Sequence, residues 1–331
     1  MKAKRALPPF AWPLAGLVAL LALNLAINPG FLALSMLDGH LVGTPVDILN
    51  RGAHIMLLAL GMSLVIATGG IDLSVGSIMA ISGSVVAILL ESGMPLPVAL
   101  AGALGISMLA GAANGALVTR FGVQPIVATL ILMVAGRGVA QMLTEGRVVL
   151  VPDAVFGFLG RGFVAGLPFA AVFVAALFVL THLFLRRTAA GLFVEAVGDG
   201  ETASAFAGLR ASRVKFFAYV FSGACAGVTG LIAAADIGAA DSLRAGENME
   251  LDAIFAVVVG GTALTGGRFY LLGSFIGGLL LQTLTVTMYN IGVSPAIAPV
   301  PKALVIIAVC VLQSERTRRW MSGLFMRRAA A

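Results

Sequence analysis

A chain of 331 residues with 60% hydrophobic and 11% charged side chains has too few charges to coat a water-facing surface. Its mean hydropathy of +1.04 excludes the soluble classes. The net charge of +6 does not mark a nucleic-acid binder, because the basic residues fall in short loops and both tails without a stripe or interleaved aromatics.

The chain opens on Met1-Lys2-Ala3-Lys4-Arg5 and an apolar run from Trp12 to Ile27 with no small-residue cleavage site, which predicts a retained first span and not a signal peptide. A bilayer core takes about 20 apolar residues. On that measure ten spans are predicted, at about 10–28, 50–68, 74–91, 95–118, 124–144, 163–185, 214–235, 251–265, 271–291 and 301–313. The 41 glycines suit close helix approach in lipid. Cys225 and Cys310 lie inside apolar runs and read as small buried side chains, not a disulfide framework.

Between the apolar runs Ala53–Ala67 and Ile78–Leu90 stands Thr68-Gly69-Gly70-Ile71-Asp72-Leu73-Ser74-Val75-Gly76-Ser77. Two glycines followed by Asp-x-Ser predict a helix that stops, turns and restarts at membrane depth. Lipid cannot satisfy free N–H and C=O groups, so such a break is either buried in protein or lines a watery cavity. Transporters place permeation paths at interrupted spans. Gly69, Gly70, Asp72, Ser74 and Gly76 are therefore candidate path residues, together with Asn114 and Arg137. An aspartate at this depth costs about 2.5–3.5 kcal/mol, and the N-terminus of the restarted helix at Ser74–Ser77 is its expected partner. Asp72 reads either as a structural cap or as a cap that also holds a gate. Arg137, flanked by Gly136 and Gly138, must be paired or wet. It reads as a path residue or as an Arg reaching from an outer helix end to the interface.

Fifteen of the 21 Lys and Arg residues fall on one side of this layout and five on the other, with Arg137 inside a span. That bias places both termini in the cytoplasm. The outside loops are then 28–49, 144–162 and 236–250. Asp241, Arg244 and Glu247 in the third are solvated connectors taken singly, and part of the surface open to an extracytoplasmic partner taken together. The longest inside loop, 186–215, carries Glu195-Ala196-Val197-Gly198-Asp199-Gly200-Glu201-Thr202-Ala203-Ser204-Ala205-Phe206-Ala207-Gly208. Asp199 or Thr202 is expected to cap a short helix through Ala207, with Gly208 ending it. A last stretch, Val259-Gly260-Gly261-Thr262-Ala263-Leu264-Thr265-Gly266-Gly267-Arg268, predicts a short span closing on a glycine-rich cytoplasmic turn. Five spans separate the break at 70–76 from the loop at 241–246, which would place the two on opposite membrane faces, the arithmetic of an inverted repeat.

Catalytic motifs are missing from the sequence. No G-x-x-x-x-G-K-[ST] occurs, no HExxH or Cys/His spacing suits a metal, and no Gly-x-Ser-x-Gly elbow is present. Three hypotheses follow: a permease that borrows ATP energy from a partner, a gradient-driven carrier, and a membrane-embedded enzyme. A gradient-driven carrier needs several ionisable groups at depth, and only Asp72 and Arg137 are predicted within spans. Uncharged polar residues such as Asn114, Gln124, Thr129, Gln141, Gln282, Thr283, Thr285 and Thr287 suit a neutral sugar, and equally suit bonds between helices.

Gly61-Met62-Ser63-Leu64-Val65-Ile66-Ala67-Thr68 running into Gly69–Ser77, the Ala196-Val197-Gly198 of the inside loop and the 250–268 stretch resemble the permease subunits of ribose-type ABC sugar importers. From about Asp47 to Gln313 the resemblance is to galactofuranose-importer permeases. Asp199 and Ser204 stand where that family more often has Asn and Ala. The resemblance implies an all-α polytopic fold of about ten transmembrane helices, similar to the vitamin-B12-importer type, in one transmembrane domain over 1–331. It implies that 186–215 is the ATPase-coupling loop, with Glu195, Gly198, Asp199, Glu201 and Ala203 at the contact, and that Asp241, Arg244 and Glu247 meet a periplasmic sugar-binding protein. It further implies a second permease subunit, identical or paired, and a cytoplasmic ABC ATPase that hydrolyses ATP. The chain itself would bind no cofactor or metal and would not be an enzyme. The setting would be the bacterial inner membrane, and the cargo a monosaccharide such as galactofuranose or ribose. The alternative is a gradient-driven secondary sugar transporter.

Overall fold

The computed structural model describes residues 10–294, 297 and 299–313. The basic tails at 1–9 and 314–331, on which much of the orientation argument rests, lie outside the described residues. Among the described residues thirteen helices run in chain order: α1 Ala11–Ile27, α2 Thr44–Ala67, α3 Val75–Glu91, α4 Leu96–Thr119, α5 Pro125–Leu143, α6 Ala154–Arg161, α7 Phe169–Arg187, α8 Ala189–Asp199, α9 Glu201–Phe206, α10 Ala211–Ile237, α11 Met249–Val259, α12 Leu271–Asn290 and α13 Pro299–Gln313. Six of them, α2, α4, α5, α7, α10 and α12, are long and apolar enough to cross a membrane. Every segment predicted as a span falls on a helix, but α1, α3, α11 and α13 are shorter than those six.

Two boundaries move for local reasons. The segment expected from 163 becomes helical only at Phe169, because β4 (Phe163–Val164) and β5 (Leu167–Pro168) first form a hairpin. Its turn residues, Ala165 and Gly166, both have positive φ. The segment expected to reach 265 stops at Val259, where Gly260 and Gly261 end α11. In the 144–162 loop, Asp153 caps α6 by accepting the Phe156 N–H at 2.8 Å.

α10 is the hub, packed against α2, α3 and α4, and α2 packs in turn on α12, α11 and α7. The outward faces of α4, α5 and α7 are apolar as well, with Leu109, Val134 and Leu180 all exposed. A helix apolar on all sides belongs in lipid. Short strands join the loops. β1 (Ser35–Leu37) pairs with β2 (His40–Val42), and β3 (Val149–Leu150) pairs antiparallel with β6 (Ala239–Ala240). The Val151 N–H extends that second pairing to Gly238 O at 2.9 Å.

Candidate functional site

α2 ends as a glycine-terminated helix should. Gly69 is left-handed (φ 78°), and the Gly69 and Gly70 N–H groups fold back to Ile66 O and Val65 O at 2.9 and 3.0 Å. Irregular backbone follows to Ser74, and protein groups satisfy it. Ile71 O accepts from the Thr129 hydroxyl of α5 at 3.3 Å and from the Tyr219 hydroxyl of α10 at 3.5 Å. Of the two arrangements open to a broken span, this one is burial in protein.

Asp72 is 0% exposed. Its Oδ1 accepts the Ser74 N–H at 3.0 Å and the Ser74 hydroxyl at 2.6 Å, and its Oδ2 accepts the Ser222 hydroxyl of α10 at 2.8 Å. Asn114 of α4 donates from Nδ2 to Ser74 Oγ at 2.8 Å. Asp72, Ser74 and Asn114 are thus one buried cluster, and Ser222 is its unexpected member. Nothing in Phe221-Ser222-Gly223 distinguishes that serine from the small-residue packing around it. The expected capping is also refined. Ser74 is the residue that precedes α3, and Asp72 receives the Ser74 N–H across an Asx turn instead of the N–H groups within the first turn.

The 186–215 loop forms two helices, not one. Neither Asp199 nor Thr202 caps; Gly200 separates α8 from α9, and Gly208 (φ 84°) ends the second as expected. The Ser204 hydroxyl donates to Ala196 O at 2.7 Å, tying α9 to α8, which accounts for a serine at this position. Glu201 pairs with Lys215 of α10, and Phe206 at the tip is 90% exposed. Ala203 is exposed and Glu195 half-buried.

Three glycine stretches singled out in the sequence meet here. Gly267 N–H donates to Ala67 O, the end of α2, at 2.9 Å. Gly198 lies against both, so that a Cβ on it would overlap Ala67 O and Gly267 N. Gly266 sits against Gly69 N and Gly198 O, and a Cβ on Gly267 would strike the Asp199 carboxylate. The proposed coupling loop therefore touches the broken helix backbone to backbone, with no side chain between them.

The other end of the break meets the segment after β6. A Cβ on Gly76 would overlap Gly246 O and come within 2.5 Å of Glu250 Oε2. The 70–76 break and the 241–246 loop, expected on opposite faces, are in backbone contact at Gly76 and Gly246. Ala245 and Gly246 descend along α3 to reach Gly76 instead of remaining a surface connector. Arg137 holds them there, donating from Nη1 to Ala245 O and, at 3.5 Å, to Ser242 O. Thr144 Oγ1 and Ser242 Oγ add a contact at 2.8 Å. Glu250, expected in a solvated loop, is buried. Asp241 Oδ1 accepts from the Leu243 and Arg244 N–H groups, while Arg244 and Glu247 are exposed. Arg137→Met should remove bonds from a charged donor, each worth about 1.5–3 kcal/mol. The purified protein should melt several degrees lower while still inserting in the membrane; an unchanged melting curve would show that Arg137 does not hold the loop.

Comparison with known proteins bears on the same residues. The family model described as branched-chain amino acid transport system / permease component matches residues 44–311. The galactofuranose transporter permease protein of Escherichia coli (strain K12) is 45% identical over 93% of this chain and 92% of its own. The fructose import permease protein of Bifidobacterium longum (strain NCC 2705) is 35% identical over 96% and 91%. The ribose import permease protein of Bacillus subtilis (strain 168) is 35% identical over 92% of each chain. No solved structure matches. The chain belongs to the branched-chain amino acid transport system / permease component family, alongside relatives that are sugar import permeases.

Proposed function

We propose that this chain is the membrane-spanning permease subunit of an ATP-driven importer for a monosaccharide such as galactofuranose or ribose. In this reading it crosses the bacterial inner membrane about ten times, arranged as in the vitamin-B12-importer type, with both termini in the cytoplasm. It pairs with a second permease subunit, identical or related, and works with a cytoplasmic ABC ATPase and a periplasmic sugar-binding protein. ATP is bound by the ATPase, and this chain binds neither cofactor nor metal. The observation that carries the reading is the direct seat of Gly198 on the end of α2 and on Gly267. Movement imposed on α8 and α9 by a partner reaches Gly69, Gly70, Asp72, Ser74 and Gly76 without an intermediary. Glu195, Asp199, Glu201 and Ala203 present the same loop to the ATPase, and Asp241, Arg244 and Glu247 meet the binding protein.

A gradient-driven carrier is less well supported. Its coupling ions need groups free to take and release charge at depth. The two ionisable groups expected within spans are engaged here, Asp72 with two serines and Arg137 with loop carbonyls. The test is uptake of labelled D-galactose, D-ribose and D-fructose into vesicles holding the permease with its ATPase and binding protein. Uptake should require ATP inside and survive collapse of ion gradients. Uptake that persists without ATP and stops with the gradient would overturn the proposal.

A further inference from the structure

The segment that descends from β6 to Gly76 does not seal fully against α3. Between α2, α3, α10 and this segment lies a cavity of about 300 Å³, which the segment lines with Ala239, Ala240, Asp241, Arg244, Ala245 and Gly246. Its floor is a close helix crossing, where a Cβ on Gly230 of α10 would overlap Met79 O of α3. Asp72 and its partners are not in its wall.

Two polar groups on that wall are unsatisfied. Ser84 of α3 is 1% exposed, and its hydroxyl has no hydrogen-bond partner among the described residues. His54 of α2 contacts Arg51 O through Nδ1 at 3.2 Å. A carbonyl only accepts, so Nδ1 carries the proton, and in the neutral ring Nε2 is left as an acceptor. Nε2 is buried and likewise has no partner among the described residues. Native folds rarely leave buried polar atoms unpaired, and such atoms call for a bound molecule. The remaining titratable groups of the wall are Asp236, Asp241 and Arg244. Asp241 Oδ1 already accepts from two backbone N–H groups.

We propose that this cavity is a binding site for one neutral monosaccharide on its way through the permease. The inference rests on the sugar-import reading above and extends it to named residues. Ser84 both donates and accepts, while His54 Nε2 and the Asp236 carboxylate accept, which is the pattern presented by neighbouring hydroxyls of a sugar ring. Carboxylates and a guanidinium share the wall, so the site does not select a net charge. Ligand pockets run from roughly 300 to 1,000 Å³, so a cavity at the lower limit takes one small ring and excludes an oligosaccharide.

The test uses the full importer in proteoliposomes. Ser84→Cys is made in a background carrying Cys225→Ala and Cys310→Ala, and is labelled with methanethiosulfonate ethylammonium. D-galactose, D-ribose and D-fructose are the probes, and the sugar that the importer takes up is the one that counts. At about ten times its dissociation constant that sugar should slow labelling roughly tenfold. Ser84→Ala, which removes the hydroxyl and adds no bulk, should lower uptake about five- to tenfold at an unchanged melting temperature, the size of one lost hydrogen bond. Labelling that proceeds equally with and without the transported sugar, or parental uptake by Ser84→Ala, overturns the site. Total resistance of Ser84→Cys to the reagent also overturns it, since a sugar could not enter where this smaller reagent cannot. If the parent importer takes up none of the three sugars, the sugar-import reading itself fails, and the site falls with it.

Discussion

Gly198→Ala should yield a permease that inserts in the membrane but scarcely transports. The added methyl has nowhere to go, because it overlaps Ala67 O and Gly267 N, both backbone atoms engaged with each other. Overpacking of this kind costs typically about 1–3 kcal/mol, and more where backbone must move. Relief comes only by lifting α8 off the end of α2, which breaks the contact through which we propose that ATP energy enters. Sugar uptake should fall about tenfold or more, since about 1.4 kcal/mol is a factor of ten, and substrate-stimulated ATP hydrolysis should fall with it. Gly105→Ala in α4, where an added methyl meets nothing within 4 Å, serves as the control and should behave as the parent. Parental uptake by Gly198→Ala in the purified complex would reduce the loop to a connector.

Asp72→Leu should abolish recovery of folded protein, whereas Asp72→Asn should not. Leucine leaves the Ser74 N–H, the Ser74 hydroxyl and the Ser222 hydroxyl without their acceptor in a fully buried site. Each orphaned group costs about 1–3 kcal/mol, which together approaches the total stability of an ordinary domain. Asparagine keeps an acceptor for Ser74, and its amide donates to Ser222 once that hydroxyl turns. A cluster that only builds the fold therefore leaves Asn uptake near the parental level. A cluster whose charge also holds the break for gating leaves Asn well folded, with ATP hydrolysis continuing and uptake down severalfold. Size-exclusion recovery and uptake, measured on both variants, separate the two; loss of folded Asn protein would show that the charge itself is needed to fold the cluster.

The break was legible because its residues announce themselves. Gly-Gly stops a helix wherever it falls, and an aspartate in an apolar run demands a partner. Asn114 could be singled out for the same reason, being an amide among alanines and glycines. Ser222 could not, since a serine in a small-residue helix looks like packing, and only the crossing of α10 over the break gives it a carboxylate to serve. The capping within 186–215 was not legible because local propensity offers Asp199 and Thr202 as equal starts. Tertiary contact settled it by drawing Asp199 towards Gly267. Glu250 and the descent of 241–246 were hidden for a further reason. A polar stretch between apolar runs reads as an outside loop, and its return into the bundle depends on Arg137, over a hundred residues earlier in the chain. The cavity beside Ser84 had no sequence signal, being space left between four elements.

The two-residue pairing of β3 with β6 makes one mechanical part of two loops that lie far apart in the chain. Force applied at 149–151 is carried by the strand hydrogen bonds to 238–240 and thence, through the descending segment, to Gly76. On the other side, force applied to α8 arrives at Ala67. The few residues from 68 to 75 are thus held at both ends by separate levers. A push from either side is felt by the other as a change in tension along the same short piece of chain.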